Sequence, residues 1–214
     1  MQQVVADSGT APERSTREDL IAAATQLFRT RGFEGTSIEA IGATAGVRGP
    51  AMYYHFASKS ALLHECLAGP LRELLSLGQE AVRDRSAVEQ VRAFTAAHVR
   101  FQLTHFAWPQ AHRGALVATG ALISALPAKE QKQLFRLERR HLDTLRSALT
   151  DGAASGDLLA VPVTPTAFAI IGMADQVITW YQPDHPLTPD DVADFYAELA
   201  VRMVAAPRPR RRRT

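Results

Sequence analysis

Residues 35 to 63, GTSIEAIGATAGVRGPAMYYHFASKSALL, gather side chains suited to holding a polyanion. Thr36 and Ser37 supply two hydroxyls, Arg48 a guanidinium, Tyr53 and Tyr54 two phenols, His55 an imidazole and Lys59 an ammonium. Hydroxyl and backbone N–H groups at a helix start can hold phosphate oxygens, and a guanidinium can pair bidentately with guanine O6 and N7. This is the chemistry of binding. Arrangements that would make or break bonds are missing: there is no Ser-His-Asp, Walker, dinucleotide or zinc-protease motif. Gly46-Val47-Arg48-Gly49-Pro50 is not a phosphate loop, so no enzyme activity and no cofactor are expected.

Those side chains need elements to position them. Ser15-x-x-Glu18 reads as a capping box that starts a first helix. Leu20, Ala24, Leu27, Phe28 and Arg31 then share a face, and Gly32 ends the helix. Thr36-x-x-Glu39 reads as a second capping box, with Ile38, Ile41 and Ala45 as the apolar face of helix two. Gly46 closes that helix and Val47 plugs the turn. Gly49-Pro50 opens helix three, where a first-turn proline is tolerated, and Met52 and Phe56 would complete a three-helix core. Ser58 caps a long fourth helix to about residue 84. The layout is that of a helix-turn-helix, whose second helix enters the DNA major groove.

Further helices are expected at about 86–107, 109–125, 128–151, 165–182 and 189–205. Thr164-Pro165 and Thr188-Pro189 each place a hydroxyl cap before a first-turn proline, and Asp190 and Asp191 complement the last helix dipole. No segment alternates with period two, so no sheet is expected.

The 214 residues are 46% hydrophobic and 7% aromatic, which suits helices packed with Leu, Ala and Val. One cysteine, Cys66, excludes an intrachain disulfide and points to the reducing cytoplasm. Its side chain reads as a small buried residue rather than a redox switch. The longest apolar run, residues 167 to 174, is too short to span a bilayer, so no membrane partner is expected. The formal charge is +2, unevenly spread. Residues 1–66 carry six Lys/Arg and seven Asp/Glu, residues 67–207 thirteen and fifteen, and the last seven residues five arginines. Bulk charge therefore does not argue for DNA binding by the N-terminal unit; the motif must carry that.

The set Gly32-Phe33, Thr36-Ser37, Ile41, Ala45-Gly46-Val47, Met52-Tyr53, His55-Phe56, Ser58-Lys59 and Leu62-Leu63 resembles the signature of the TetR family of ligand-responsive transcriptional regulators. The resemblance implies an all-α chain of about nine helices. A disordered leader (1–13) would precede a helix-turn-helix domain (14–66), a larger helical ligand-binding and dimerisation domain (67–206) and a basic tail (207–214). It implies a homodimer on double-stranded operator DNA, most simply a repressor released by a small-molecule effector. Thr36, Ser37, Tyr53 and Lys59 would hold phosphates, His55 could contact phosphate, and Arg14 and Arg17 could reach an adjacent phosphate or the minor groove. Arg48, Gly49, Pro50, Ala51 and Tyr54 would lie on the exposed start of the recognition helix, with Arg48 reading a base edge. Tyr53 and His55 could instead pack between helices, and Lys59 could be solvated. The family usually has a small hydroxyl residue where Arg48 stands; losing that cap costs about 1 kcal/mol, unless DNA binding offsets it.

In the second domain the resemblance implies that the last two helices build the dimer. Val192, Phe195, Tyr196, Leu199 and Met203 form the candidate stripe. The helix at 165–182, whose only charge is Asp175, should be buried on more than one side. Phe94, Phe101, Leu122, Phe135, Ile171, Gln176 and Trp180 are candidate cavity residues, and Arg139 and Arg140 could meet an anionic head group. Each could equally be ordinary core or surface. Gly172-Met173, Trp180-Tyr181, Pro183 and Leu187-Thr188-Pro189 resemble a branch that regulates fatty-acid, phenylacetate and steroid breakdown, some members answering to acyl-CoA thioesters. Ala174-Asp175-Gln176 and Asp184 depart from that pattern. His98, His105 and His112 recur every seven residues, but two turns separate each pair by about 10 Å, so no metal site is expected. The alternative function is a ligand-independent architectural protein that binds DNA through the arginines at 208–213, which could also be only a solvated terminus.

Overall fold

In the computed structural model the described residues are 15–106, 115–182 and 184–206; of these, the side chains of 49–51, 106 and 115–119 are not described. The expected leader, Arg14, Pro109, His112, Pro183 and the basic tail lie outside the described residues, as do the side chains of Gly49, Pro50 and Ala51. The described residues are all-α, apart from one isolated antiparallel bridge between Leu158 and Ala205. They form two compact units divided after Cys66, within α3.

The first unit holds α1 (Thr16–Arg31), α2 (Ile38–Thr44), a 3-10 helix (Gly49–Tyr54) and the start of α3 (Lys59–Val82). Ser15 caps α1 in a reciprocal box: its hydroxyl accepts from the Glu18 N–H, and the Glu18 carboxylate accepts from the Ser15 N–H. Leu20, Ala24, Leu27 and Phe28 are buried, whereas Arg31 is exposed and off the expected face. The cap of α2 falls one residue later than expected. Ser37 accepts from the Ala40 N–H at 3.1 Å, and Thr36 lies outside the helix. Gly46 turns the chain at φ 72°, a conformation that a Cβ would penalise.

The segment expected as helix three is 3-10 rather than α. It has six residues and no side-chain cap at Arg48, too short and too poorly started to sustain α-helix by itself. Its place is set by packing, because Met52 and Phe56 are buried with Ile41, Leu62 and Leu63. Ser58 caps α3, accepting from the Ala61 N–H at 3.0 Å.

The second unit holds the rest of α3, then α4 (Ala87–Phe106), α5 (Ala115–Ser124), α6 (Ala128–Ser155), α7 (Val163–Asp175), α8 (Val177–Trp180) and α9 (Pro189–Val204). Its centre is α4, which packs against α6, α7, α8 and α9. One apolar cluster joins Val91, Phe94, Leu145, Leu149, Ile170 and Val201; a second joins Val99, Leu103, Val177, Tyr181, Val192 and Ala197. Ion pairs from Arg92 to Glu198 and from Arg100 to Asp190 and Asp194 lace α4 to α9. No described helix is long and apolar enough to cross a membrane.

Two expectations for this unit are corrected. The helix expected at 165–182 is two helices, interrupted at Gln176, which caps α7 and precedes α8. Thr164 is not a cap, since α7 starts earlier, after Pro162, with no side-chain cap bond. Thr188 does cap α9, in a reciprocal box with Asp191. That bonding holds the Asp191 carboxyl below its ordinary range.

Candidate functional site

In the first unit, buried anchors leave a polar surface around the turn. Arg48 is exposed with an extended backbone (φ −69°, ψ 137°). Tyr53 and His55 are exposed and Tyr54 is 91% exposed, so neither Tyr53 nor His55 packs between helices. Ser37 is exposed at the α2 start. These four groups and Arg48 occupy the segment from α2 to the end of the 3-10 helix, held there by Ile41, Met52 and Phe56.

Three expected contact residues are otherwise employed. Thr36 is buried, and its hydroxyl donates to the Gly32 carbonyl at 2.7 Å, so that side chain is part of the core. The Lys59 ammonium donates to the carbonyls of Phe33 and Thr36 at 2.9 and 3.0 Å and sits 4.2 Å from the Phe33 ring centroid. It fastens the loop between α1 and α2 to the start of α3. Arg17 pairs with Glu65 at 2.8 Å and lies over the Phe56 ring. Sequence spacing placed these residues near the motif; it could not show that backbone carbonyls and a carboxylate within the unit would take their donors.

In the second unit the ligand candidates divide between core and surface. Phe94 is buried and stacks on His141 with centroids 4.6 Å apart, and Phe101 is buried against His105. Ile171 and Leu122 are half-buried. Phe135 and Gln176 are exposed, contrary to a cavity role, and the head-group candidates Arg139 and Arg140 are exposed as well. Trp180 is also on the surface, its indole N–H donating to the Tyr196 hydroxyl at 3.2 Å. Val192 is buried in the unit's own core, so it leaves the dimer stripe. Phe195 (59% exposed), Met203 (42% exposed) and the half-buried Tyr196 and Leu199 remain.

A polar network missed in the sequence lies among α4, α6 and α7. Asp175 accepts from Gln102 and from His98 Nε2 at 2.8 Å, and His98 Nδ1 is 3.0 Å from His141 Nε2. In the neutral tautomer that meets the carboxylate, the proton sits on His98 Nε2. Its Nδ1 then accepts from His141, which leaves His141 Nδ1 as a bare buried acceptor with no partner among the described residues. Burial, then the neighbouring His98, pushes the His141 pKa down to about 3. Glu138 is raised by burial and by the Asp175 charge. Gly78 of α3 fits against this ring: a Cβ there would lie 3.0 Å from His141 and 2.9 Å from Phe94. The available signal was Asp175, the lone charge on an apolar helix. The seven-residue histidine spacing does not correspond to a shared role, because His98 pairs 43 residues away in sequence while His105 meets Glu73 at 3.2 Å. Among the described residues no group of three or more His, Cys, Asp or Glu is arranged to hold a metal.

Known proteins agree with this architecture. Residues 20–66 match the family described as bacterial regulatory proteins, tetR family, and residues 84–204 match the tetracyclin repressor-like C-terminal domain. The chain is 26% identical to the HTH-type transcriptional repressor KstR2 of Rhodococcus jostii over 200 residues, covering 92% of this chain and 95% of that protein. It is similar in structure to the TetR family regulator PfmR of Thermus thermophilus, with TM-score 0.73, 28% identity, and 86% and 97% of the two chains covered. AibR, solved with isovaleryl coenzyme A and operator DNA, shares the fold at TM-score 0.69 and 22% identity, over 86% of this chain and 97% of that one. These relatives are named as transcriptional regulators or solved on operator DNA. With both of its units matched, this chain belongs to the TetR family of bacterial transcriptional regulators.

Proposed function

We propose that this regulator is a homodimeric repressor, released from its operator by a largely apolar small molecule of the acyl-CoA thioester type. The observation that carries the DNA-binding half is the contrast within the first unit. Ile41, Met52 and Phe56 are buried, while Arg48, Tyr53, Tyr54 and His55 remain exposed on the same short segment. Arg48 is the base-reading residue; Ser37, Tyr53 and His55 hold phosphates. Lys59 acts first through the loop it fastens, and Arg17 contacts phosphate only if Glu65 releases it.

Dimerisation is supported by the exposed apolar positions of α7 and α9, and the effector class by AibR, solved with bound isovaleryl coenzyme A. Effector binding would favour a dimer whose recognition segments no longer match successive major grooves, about 34–36 Å apart. The test is a footprint on DNA upstream of the protein's own gene, repeated with acyl-CoA thioesters. A protected palindromic site, lost on adding thioester, is expected. Protection without sequence preference would reject the reading.

A further inference from the structure

The solvent face of α6 carries a charge distribution that the DNA-binding reading does not use. Lys129, Lys132, Arg136, Arg139 and Arg140 are all exposed. At 100° per residue they fall within about 100° of the helix circumference and span about 16 Å of its length. The two acids of the same stretch, Glu130 and Glu138, fall on the side of the helix that carries Leu134, His141 and Leu145. The first carboxylate on the basic face is Asp143, and it pairs with Arg146. None of the five cations has a carboxylate partner within salt-bridge distance among the described residues. Residues 67–207 have a net charge of −2, thirteen Lys/Arg against fifteen Asp/Glu. Five of those thirteen cations stand together, where self-repulsion opposes them unless an anion is near. Phe135 is 50% exposed at the edge of the stripe, one turn from both Lys132 and Arg139.

We propose that this face of α6 docks the nucleotide end of a coenzyme A thioester, with phosphates on Lys132, Arg136 and Arg139 and the adenine stacked on Phe135. Cations beside one exposed aromatic ring fit a phosphorylated nucleotide, since phosphates take the charges and the base takes the ring. A stripe this short meets only a few phosphates, which suits a nucleotide better than a long duplex. Lys129 and Arg140 flank the site and add field rather than direct contacts. The proposal rests on the acyl-CoA effector reading and gives it a place on this chain.

The test is titration calorimetry of the full-length protein with coenzyme A and with 3′-dephospho-coenzyme A, alongside operator binding measured without either. Wild type should prefer coenzyme A severalfold over the dephospho form, with affinity falling as salt rises. The Arg136→Glu, Arg139→Glu double variant should bind coenzyme A at least about tenfold more weakly, and Phe135→Ala about three- to tenfold more weakly. Both should keep wild-type operator affinity and helix content. Unchanged coenzyme A affinity in the double variant, or no binding by wild type, overturns the proposal. An equal loss of operator affinity in a folded double variant would mean that the stripe serves DNA, and also overturns it. Wild type that lacks operator-specific binding would instead defeat the repressor reading, a separate result in the same experiment.

Discussion

At the scale of single residues, the first unit separates side chains that build the site from those placed to use it. Lys59 makes two charge-assisted hydrogen bonds and a cation–π contact inside the unit. Lys59→Met should therefore cost about 1–3 kcal/mol of stability without any DNA present, read as a lower urea midpoint. Arg48→Ala should do the reverse. Its guanidinium is exposed and caps nothing, so stability should stay within about 0.5 kcal/mol while operator affinity falls far more than affinity for random duplex. Equal loss on both DNAs would remove Arg48 as a base reader. Cys66 gives a third expectation. Burial pushes its thiol up to about 11, and the sulfur faces the Ile21 carbonyl at 3.7 Å. It should resist thiol reagents at pH 8 until denaturant is added, since the thiolate is the reactive form. Fast labelling of native protein would show that this contact opens.

At the scale of elements, two Thr-Pro pairs that look alike in sequence separate in the structure. Thr188 closes a reciprocal box with Asp191, whereas Thr164 lies inside α7. Thr188→Ala should cost about 1 kcal/mol and Thr164→Ala almost nothing, by denaturant midpoint. Local capping chemistry thus made α1, α3 and α9 legible, because each cap needs only residues three apart. The 3-10 form of the recognition segment was not legible, since tertiary anchoring at Met52 and Phe56 decides it. The network of His98, His141 and Asp175 was hidden for the same reason: its partners come from α4, α6 and α7. That network has a pH consequence. His141 has a folded pKa of about 3 against an ordinary 6.5, so between those values the unfolded chain binds a proton that the folded chain refuses. Its contribution is intact above about pH 6.5 and is lost as pH falls toward 3, reaching about 2 kcal/mol by pH 5. His141→Phe keeps a ring against Phe94 and should flatten the drop in stability between pH 7 and pH 5 by about that amount. An unchanged slope would mean that the acid sensitivity resides in the carboxylates.

At the scale of the whole molecule, the second unit leaves apolar side chains of α7 and α9 exposed, and the proposed homodimer would use them. Phe195, Leu199 and Met203 recur every four residues on α9, which places them on one face, while Val192, Ala193, Ala197, Ala200 and Val201 are buried within the unit. On the adjoining α7, Phe168 is 60% exposed, and Gly172 has open space where a side chain would stand. The sequence marked the stretch 165–182 as apolar nearly all round, and within its α7 part the structure buries Ala167, Ile170 and Ala174. Apolar positions left exposed on two packed helices suit an interaction surface, which the proposed homodimer would bury across a two-fold axis. Phe195→Glu combined with Met203→Glu should then give a monomer by sedimentation, with helix content unchanged because neither side chain belongs to the core. Such a monomer carries one recognition segment rather than two, so operator affinity should fall by at least about a hundredfold, the scale of an avidity loss. Nonspecific duplex binding should weaken much less. A double variant that still sediments as a dimer would place the contact elsewhere, and a monomer that keeps full operator affinity would show that one copy reads the site alone.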